Sequence, residues 1–375
     1  MMKGSRRNIF MLVAVFFLFL AGCSSEKTEL ESTSPRSSQA SNGDGKLRVV
    51  ASIYPIVEFS RQVAGDKAEV IGLIPAGAEP HDWEPSPKDI ATIKQADVFV
   101  YNGIVEGWVE QALKSAANDR RIVVETIKGI ELIEGEEHDH DHVDGHDHDH
   151  SHDHTDSDGH DHEHDGHADG HGHDHKDVHA NDHDHDHSHD HAHDHGHSHN
   201  YEWDPHVWLS PVLAQQQVRA IQAALEQADP QRKEDYKRNA DAYIAKLKEM
   251  DQAFRDGLNG VKRKEFVVQH AAFGYLAREY GLRQIPIAGL SPEQEPAPDR
   301  MADIVKFAKE HQVTTIFFET LVDPKIARTI ANEIGAKTAV LNPLEGLTAS
   351  DIKNNADYIG IMKSNLEALK QALHN

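Results

Sequence analysis

Cysteine is almost absent from this chain of 375 residues, which has a single one, Cys23. One thiol cannot form an intrachain disulfide, so the fold must do without one. Aromatic residues make up only 6% of the sequence, and no basic stretch is interleaved with them, which argues against nucleic acid as a partner. A His-Glu-x-x-His pair is also missing, so the sequence does not indicate a zinc protease.

Long hydrophobic runs are lacking as well. The run at residues 9–21 follows three basic residues and is shorter than the roughly 20 residues of an ordinary membrane-spanning helix. Its basic start and apolar centre are typical of an export signal. It ends in Leu-Ala-Gly-Cys, which resembles a bacterial lipobox and implies lipid attachment to Cys23. We therefore predict a lipoprotein signal peptide over 1–22 and a Ser-rich tether over 23–45.

Most of the formal charge of −25 comes from one segment, residues 138–199, which holds 25 His, 19 Asp or Glu and one Lys. That segment contributes −18, and the other 313 residues contribute only −7. Residues 135–200 contain two valines, three alanines and no aromatic residue. They cannot bury enough apolar surface to offset the entropy lost on ordering, so we predict a disordered insertion.

The histidines of this insertion predict an accessory metal-binding loop. Alternating Asp and His offers many equivalent sites of low specificity, which nickel, copper or cobalt should occupy as well as zinc. The loop could collect zinc and raise its local concentration, or it could sense or buffer an excess; an acidic solvating linker is the plain alternative. The histidines assigned to it are His138, His140, His142, His146, His148, His150, His183, His185, His187, His189, His191, His193, His195, His197 and His199.

Strand-like and helical runs alternate on both sides of the insertion, which predicts α/β architecture with parallel sheets. The predicted strands are 47–53, 70–74, 97–101, 121–126, 265–269, 283–288, 314–319 and 338–341. The predicted helices are 56–64, 87–95, 105–117, 211–228, 233–258, 272–280, 298–311, 324–334 and 350–373. We predict two such lobes, 46–231 and 260–375, joined by one long rigid helix over 232–259, with a metal site in the cleft between them.

Three histidines outside the loop have stiff or apolar surroundings. His81 lies between prolines, His206 lies between a proline and two tryptophans, and His270 closes a strand. Glu345 follows the last strand. All four are predicted at or beyond the carboxyl ends of strands, where open α/β sheets bind ligands. Three neutral imidazoles and one carboxylate suit tetrahedral zinc.

Five motifs make the chain from Lys46 to Asn375 resemble the zinc-binding lipoproteins of bacterial ABC metal importers, the ZnuA and AdcA type. They are the Glu-Pro-His-Asp-Trp-Glu-Pro-Ser-Pro loop at 79–87, the histidine-rich insertion, Asp-Pro-His-Val-Trp-Leu-Ser-Pro at 204–211, His-Ala-Ala-Phe-Gly-Tyr at 270–275 and Asn-Pro-Leu-Glu-Gly-Leu at 342–347. The resemblance implies that His81, His206 and His270 bind the metal and that Glu345 is the fourth ligand. It also implies a monomeric, non-enzymatic protein, lipid-anchored outside the cytoplasm, which hands Zn²⁺ to a membrane permease with a cytoplasmic ATPase.

Related manganese-binding proteins typically carry glutamate where this chain has His270 and an aspartate near Glu345, which favours zinc here. A manganese or other divalent-metal binding protein, or an adhesin, stays an alternative. A zinc hydrolase has less support because a fourth protein ligand closes the position that catalytic water needs. A zinc chaperone acting only through the loop leaves the three framed histidines unexplained.

Several further residues have predicted roles. Glu79 is expected to be a solvated loop carboxylate and Asp204 to cap a turn, while Glu319 could orient a ligand imidazole. The other predictions are that Trp83, Trp203 and Trp208 pack around the site and that His311 and His374 lie at the surface.

Overall fold

The structure, a computed structural model, describes residues 46–135 and 202–374. The predictions of a signal peptide, a lipidated Cys23, a tether and a histidine-rich loop therefore fall outside the described residues. Within the two described ranges, no helix is long and apolar enough to cross a membrane.

The first sheet contains four parallel strands rich in β-branched and aromatic residues, which favour extended backbone. They are β1 (Leu47–Ala51), β2 (Ala68–Gly72), β3 (Val98–Tyr101) and β4 (Ile122–Glu125). Their order in the sheet is β2-β1-β3-β4. The helices of this part are α1 (Tyr54–Ala64), α2 (Pro87–Lys94), α3 (Val109–Ser115) and α4 (Pro211–Ala228). We call the described residues of this part, which precede α5, the N-terminal half.

One long helix, α5 (Lys233–Gly257), follows and has 25 residues. It packs against α1 and α4 of the N-terminal half and against the final helix of the chain. The apolar residues predicted to form a stripe on this helix are all buried: Tyr236, Ala240, Tyr243, Leu247, Met250, Phe254 and Leu258. Burial of this stripe confirms the predicted long connecting helix.

Truncating this stripe should cost stability. Leu247 is fully buried, at 0% exposure, so Leu247→Ala should lower the free energy of unfolding by about 2–5 kcal/mol through lost burial and a residual cavity. Lys248, the next residue, is exposed, and Lys248→Ala should change the free energy of unfolding by less than about 0.5 kcal/mol. Urea denaturation of both variants measures the difference.

The second sheet repeats the architecture of the first. Its parallel strands are β5 (Glu265–Val268), β6 (Arg283–Pro286), β7 (Thr315–Phe318) and β8 (Lys337–Val340), in the order β6-β5-β7-β8. Its helices are α6 (Gly274–Tyr280), α7 (Pro298–Glu310), α8 (Lys325–Ile334), α9 (Ala349–Lys353) and α10 (Tyr358–Leu373). The described residues after α5 form the C-terminal half. All eight predicted strands are confirmed, with ends that differ by one or two residues.

The predicted helix over 105–117 starts late, at Val109. The Glu106 carboxylate accepts hydrogen bonds from the backbone amides of Asn102 at 2.9 Å and Gly103 at 3.0 Å. These bonds tie the preceding residues into a turn after β3, and helical geometry begins only beyond it.

The predicted closing helix over 350–373 is also wrong as one piece, because it is divided into α9 and α10. Asn355 has a left-handed backbone with φ of 50°, which ends the first helix. Asp357 then starts the second one, since its side chain accepts a hydrogen bond from the Gly360 amide at 2.7 Å.

Candidate metal centre

Four connections that leave the carboxyl ends of strands bring the predicted ligands together. His81 follows β2, His206 lies between β4 and α4, His270 follows β5, and Glu345 follows β8. All four side chains are buried. One ligand atom from each lies within 4.8 Å of the other three, and the set could hold a metal ion. Two connections of each half therefore contribute to one cluster.

The distances within the cluster fit a small tetrahedral cation. The Glu345 Oε1 atom lies 2.9 Å from His81 Nε2, 3.0 Å from His206 Nε2 and 3.4 Å from His270 Nε2. The Nε2 atoms of His206 and His270 are 3.3 Å apart. Zinc at about 2.0–2.1 Å from each ligand, in tetrahedral geometry, places the ligand atoms about 3.3 Å from one another. The residues present fit zinc without a large rearrangement.

Two carboxylates orient two of the imidazoles. Asp204 Oδ1 lies 2.8 Å from His206 Nδ1, and Glu319 Oε1 lies 2.5 Å from His270 Nδ1. When each Nδ1–H donates to its carboxylate, the Nε2 lone pair is directed at the centre of the cluster, which is the tautomer that a metal needs. The predicted orienting role of Glu319 is thus supported by direct contact. Asp204 caps its turn as predicted, accepting from the His206 amide at 2.9 Å, and also positions the ring.

The loop of Glu345 is fixed by contacts from both halves. Trp208 donates its indole N–H to the Pro343 carbonyl at 2.8 Å, and its ring lies 5.3 Å from that of His206, centroid to centroid. On α10, the Asn365 side chain accepts from the Asn342 amide at 2.9 Å and donates to the Asn342 carbonyl at 2.7 Å. These bonds satisfy backbone groups that burial would otherwise leave unpaired.

The loop of His206 is held within the N-terminal half by a buried polar network. Asn102 donates to the Pro205 carbonyl at 3.0 Å, and Gln217 donates to Asn102 at 3.1 Å and to the Thr126 hydroxyl at 3.0 Å. Sequence reasoning missed Asn102. It directly follows β3, so a search for polar residues after buried strands could have found it.

Burial and mutual attraction control protonation at this centre. Burial opposes the charge of Glu345, but the three imidazoles outweigh it and hold the pKa of Glu345 well below 4.5. Burial also disfavours protonation of His206 and His270, yet Asp204 and Glu345 raise the pKa of His206, and Glu319 and Glu345 raise that of His270 well above 6.5. The pKa of His81 is lowered by burial. Without a metal, the Glu345 carboxylate thus stays ionised beside these imidazoles, and a cation that binds here must replace protons on the histidines.

Glu79 is not the solvated carboxylate that we expect from the sequence. Its Oε1 accepts from the His81 amide at 3.1 Å, and its Oε2 is buried with no hydrogen-bond partner among the described residues. Burial, followed by the negative charge of Glu345, raises the pKa of Glu79 to about 9. The bond to the His81 amide holds Glu79 in the loop of His81, and this tertiary placement is the reason that the prediction of a solvated carboxylate is wrong.

His311 and His374 are the other histidines of the described ranges, and neither belongs to the cluster of four. His311 is exposed and stacks on Phe307, with ring centroids 4.1 Å apart, and partly buried His374 lies 3.1 Å from the Gly257 carbonyl. Trp83 packs against Trp108 with centroids 5.2 Å apart. Trp203, near the start of the second described range, forms an antiparallel bridge with Glu134, near the end of the first.

Known proteins share this arrangement of sheets and connections. The profile of the family described as "Zinc-uptake complex component A periplasmic" matches residues 49–372. The high-affinity zinc uptake system protein ZnuA of Bacillus subtilis strain 168 is 44% identical over 363 residues, which are 96% of each chain. The zinc-binding lipoprotein AdcA of Streptococcus pneumoniae strain R6 is 38% identical over 362 residues, 96% of this chain and 60% of AdcA.

A solved structure agrees with these sequence matches. The Zn(II)-bound ZnuA-like domain of Streptococcus pneumoniae AdcA aligns with a TM-score of 0.64 and 36% identity, covering 88% of this chain and 100% of that domain. The fold, the repeated parallel sheets and the sequence identity lead to the same family, and the chain belongs to the ZnuA family of zinc-uptake proteins.

Proposed function

We propose that this chain captures Zn²⁺ outside the cytoplasm and delivers it to an ABC permease for zinc uptake. The observation that carries the proposal is the convergence of His81, His206, His270 and Glu345 from four separate connections. Each half supplies two of the four, so the proposed site needs both halves in contact. A cargo site of this kind can release its ion when the halves separate.

The ligand chemistry favours zinc over manganese. Three nitrogen donors and a single carboxylate match the preference of zinc for imidazole, whereas manganese prefers sites with more oxygen. Related proteins are named for zinc uptake and for zinc binding, which supports the same cargo here. Adhesion to a host surface stays an untested alternative.

A hydrolytic zinc centre is a weaker proposal. Catalytic zinc keeps one coordination position open for water, with three protein ligands. In this cluster, Glu345 Oε1 lies within 3.4 Å of all three imidazole Nε2 atoms. It would therefore take the fourth coordination position of a zinc ion bound by the three imidazoles. We therefore assign the chain a binding role and no catalytic one.

The proposal includes a location and partners. Lipidation at Cys23 would tether the protein, as a monomer, to the outer face of the cell membrane. Its lobes would span 46–231 and 260–375, joined by a helix at 232–259. Its partners would be a membrane permease and the cytoplasmic ATPase of that permease. Cys23→Ser should release the protein from the membrane fraction into the medium or the soluble extract. Immunoblotting of the fractions measures this, and unchanged membrane retention of the variant would refute the lipid anchor.

Uptake of radiolabelled zinc tests the proposed function. Cells that lack the chain should take up zinc slowly from zinc-depleted medium, and the wild-type chain should restore the rate. His206→Ala should not restore it, whereas His311→Ala, which removes an exposed histidine, should. If His206→Ala restores uptake fully, the cluster is not the delivery site.

Proton competition should make zinc binding depend on pH in a predictable direction. His270 must lose its proton to bind zinc, and its pKa is raised well above 6.5 by Glu319 and Glu345 despite burial. Affinity should therefore begin to fall at a pH above 6.5 as pH decreases. Glu319→Gln removes one negative charge, lowers the pKa of His270 and should shift the fall to lower pH, while maximal affinity drops about tenfold or more because the ring is less well oriented. Chelator competition between pH 5.5 and 8.5 measures both effects, and identical profiles would contradict the assignment of His270.

A further inference from the structure

The hydroxyl of Tyr275 connects the C-terminal half to the loop of His206. Tyr275 lies on α6, five residues after His270, and its side chain is buried. The hydroxyl donates to the Asp204 carbonyl at 2.8 Å and accepts from the Ile133 amide at 3.1 Å. Ile133 and Asp204 belong to the N-terminal half, so one hydroxyl group bridges two of its segments from the opposite half.

The two bridged segments are also paired with each other. The Asp204 amide donates to the Ile133 carbonyl at 2.8 Å, and the Gly135 amide donates to the Glu202 carbonyl at 2.8 Å. These bonds close the base of the chain segment that connects residues 135 and 202. The Tyr275 hydroxyl is therefore placed where this base meets the metal centre.

Gly274 makes the contact between the halves closer still. A Cβ atom at this position would lie 2.5 Å from Asp204 Oδ2 and 3.6 Å from Ile133 Cδ1. Only a residue without a side chain allows α6 to approach the Asp204 carboxylate so closely. Asp204 thus has its backbone carbonyl bound by Tyr275, its Oδ2 packed against Gly274, and its Oδ1 bound to the His206 ring.

We propose that Tyr275 and Gly274 are positioning residues that set the orientation of His206 from the opposite half, acting through Asp204. The C-terminal half then contributes more than His270 and Glu345 to the centre. It also fixes the ring of a ligand that belongs to the N-terminal half. Separation of the halves would release Asp204, and with it the orientation of His206, so loss of the ion would accompany opening.

A double-mutant cycle on the full chain tests this inference, which rests on the proposed zinc site. Zinc affinity is measured by competition with a chelator strong enough to leave weak sites empty. Tyr275→Phe removes only the hydroxyl and should weaken tight binding about tenfold, and Asp204→Asn about ten- to a hundredfold. Because both act on the same ring, the double variant should bind little worse than Asp204→Asn alone.

Amide exchange gives a second readout that does not depend on affinity. Zinc binding should slow hydrogen–deuterium exchange at Ile133 and Asp204 in the wild-type chain, because a bound ion holds the halves together. In Tyr275→Phe, the slowing at Ile133 should be lost. Tyr236→Phe is the matched control, since Tyr236 is fully buried and its hydroxyl donates to Asp229, the residue after α4, at 3.2 Å. It should leave zinc affinity and the exchange response unchanged.

A second variant keeps the test decisive if Tyr275→Phe does not fold. Gly274→Ala leaves the hydroxyl in place but displaces the Asp204 carboxylate, and it should also weaken zinc binding. Gly107→Ala is its control, because no atom lies within 4 Å of the added Cβ.

Two results would overturn the inference: wild-type affinity in a folded Tyr275→Phe or Gly274→Ala, or a double variant whose loss equals the product of the single losses. His206→Ala is measured in parallel. If that variant also binds zinc as tightly as the wild type, the proposed site has failed; if it does not, only the role of Tyr275 has.

Discussion

His206→Ala should weaken tight zinc binding by a hundred- to a thousandfold. Structural zinc sites with four ligands bind with roughly 10–16 kcal/mol, so one ligand accounts for about 2.5–4 kcal/mol. His206 is fully buried at the centre and lies within 3.3 Å of both Glu345 Oε1 and His270 Nε2, so no neighbouring group can take its place without moving. Calorimetry on a chain lacking residues 138–199 measures this loss without interference from the histidine-rich segment.

The fold should survive this substitution. The four candidate ligands lie on connections, and the apolar cluster between the sheets and α5 does not depend on their side chains. We expect the free energy of unfolding of the metal-free variant to change by less than about 2 kcal/mol. His311→Ala, an exposed histidine stacked on Phe307, should leave zinc affinity unchanged in the same background. Unaltered affinity in His206→Ala would exclude it from the centre.

His270→Glu should shift the preference of the centre from zinc toward manganese. The change replaces a nitrogen donor by a harder oxygen donor and adds negative charge. Most protein sites have a higher intrinsic affinity for zinc than for manganese, so the variant can still bind zinc more tightly in absolute terms. The quantity to compare is the ratio of the zinc and manganese affinities, which should fall by at least about tenfold, or about 1.4 kcal/mol. An unchanged ratio would remove His270 from the ligand set.

The neighbouring carboxylate of Glu319 would also affect metal binding by His270→Glu. Its Oε1 lies 2.5 Å from His270 Nδ1, so a glutamate at 270 would face another carboxylate. Repulsion between the two favours protonation of one of them and would weaken every metal. His270→Glu combined with Glu319→Gln removes the repulsion, and this double variant should bind manganese more tightly than His270→Glu alone. His311→Glu, which adds the same charge at an exposed position, should leave the ratio unchanged.

The sequence predicted the repeated parts of the fold well. Short β-branched runs alternating with amphipathic stretches specify both sheets, since each strand is a local pattern bounded by turns. The long helix was predictable from its stripe from Tyr236 to Leu258. The division of the last helix was not, because it depends on one left-handed residue, Asn355, and on a cap by Asp357 that helical periodicity does not encode.

The sequence predicted which four side chains converge at the candidate site, and it predicted much less about the residues that hold them in place. Histidines framed by proline and tryptophan, or placed at strand ends, stand out in the sequence. The burial of Glu79 and the bridge made by Tyr275 arise from contacts between segments far apart in the chain. Contacts between distant segments produce no regular spacing of residues in the sequence, so they could not be predicted from it. Glu319 lies between these cases, since its position after β7 was visible but its partner His270 was not fixed by any local pattern.

The measurement that tests the central proposal most directly is a calorimetric zinc titration of two chains, the full sequence and a variant without residues 138–199. The proposal predicts that the shortened chain keeps one tight site at a ratio of one zinc per protein, and that the full chain shows the same tight site followed by weaker ones. If the shortened chain has no tight site, the cluster of His81, His206, His270 and Glu345 does not capture zinc, and the proposed function is wrong.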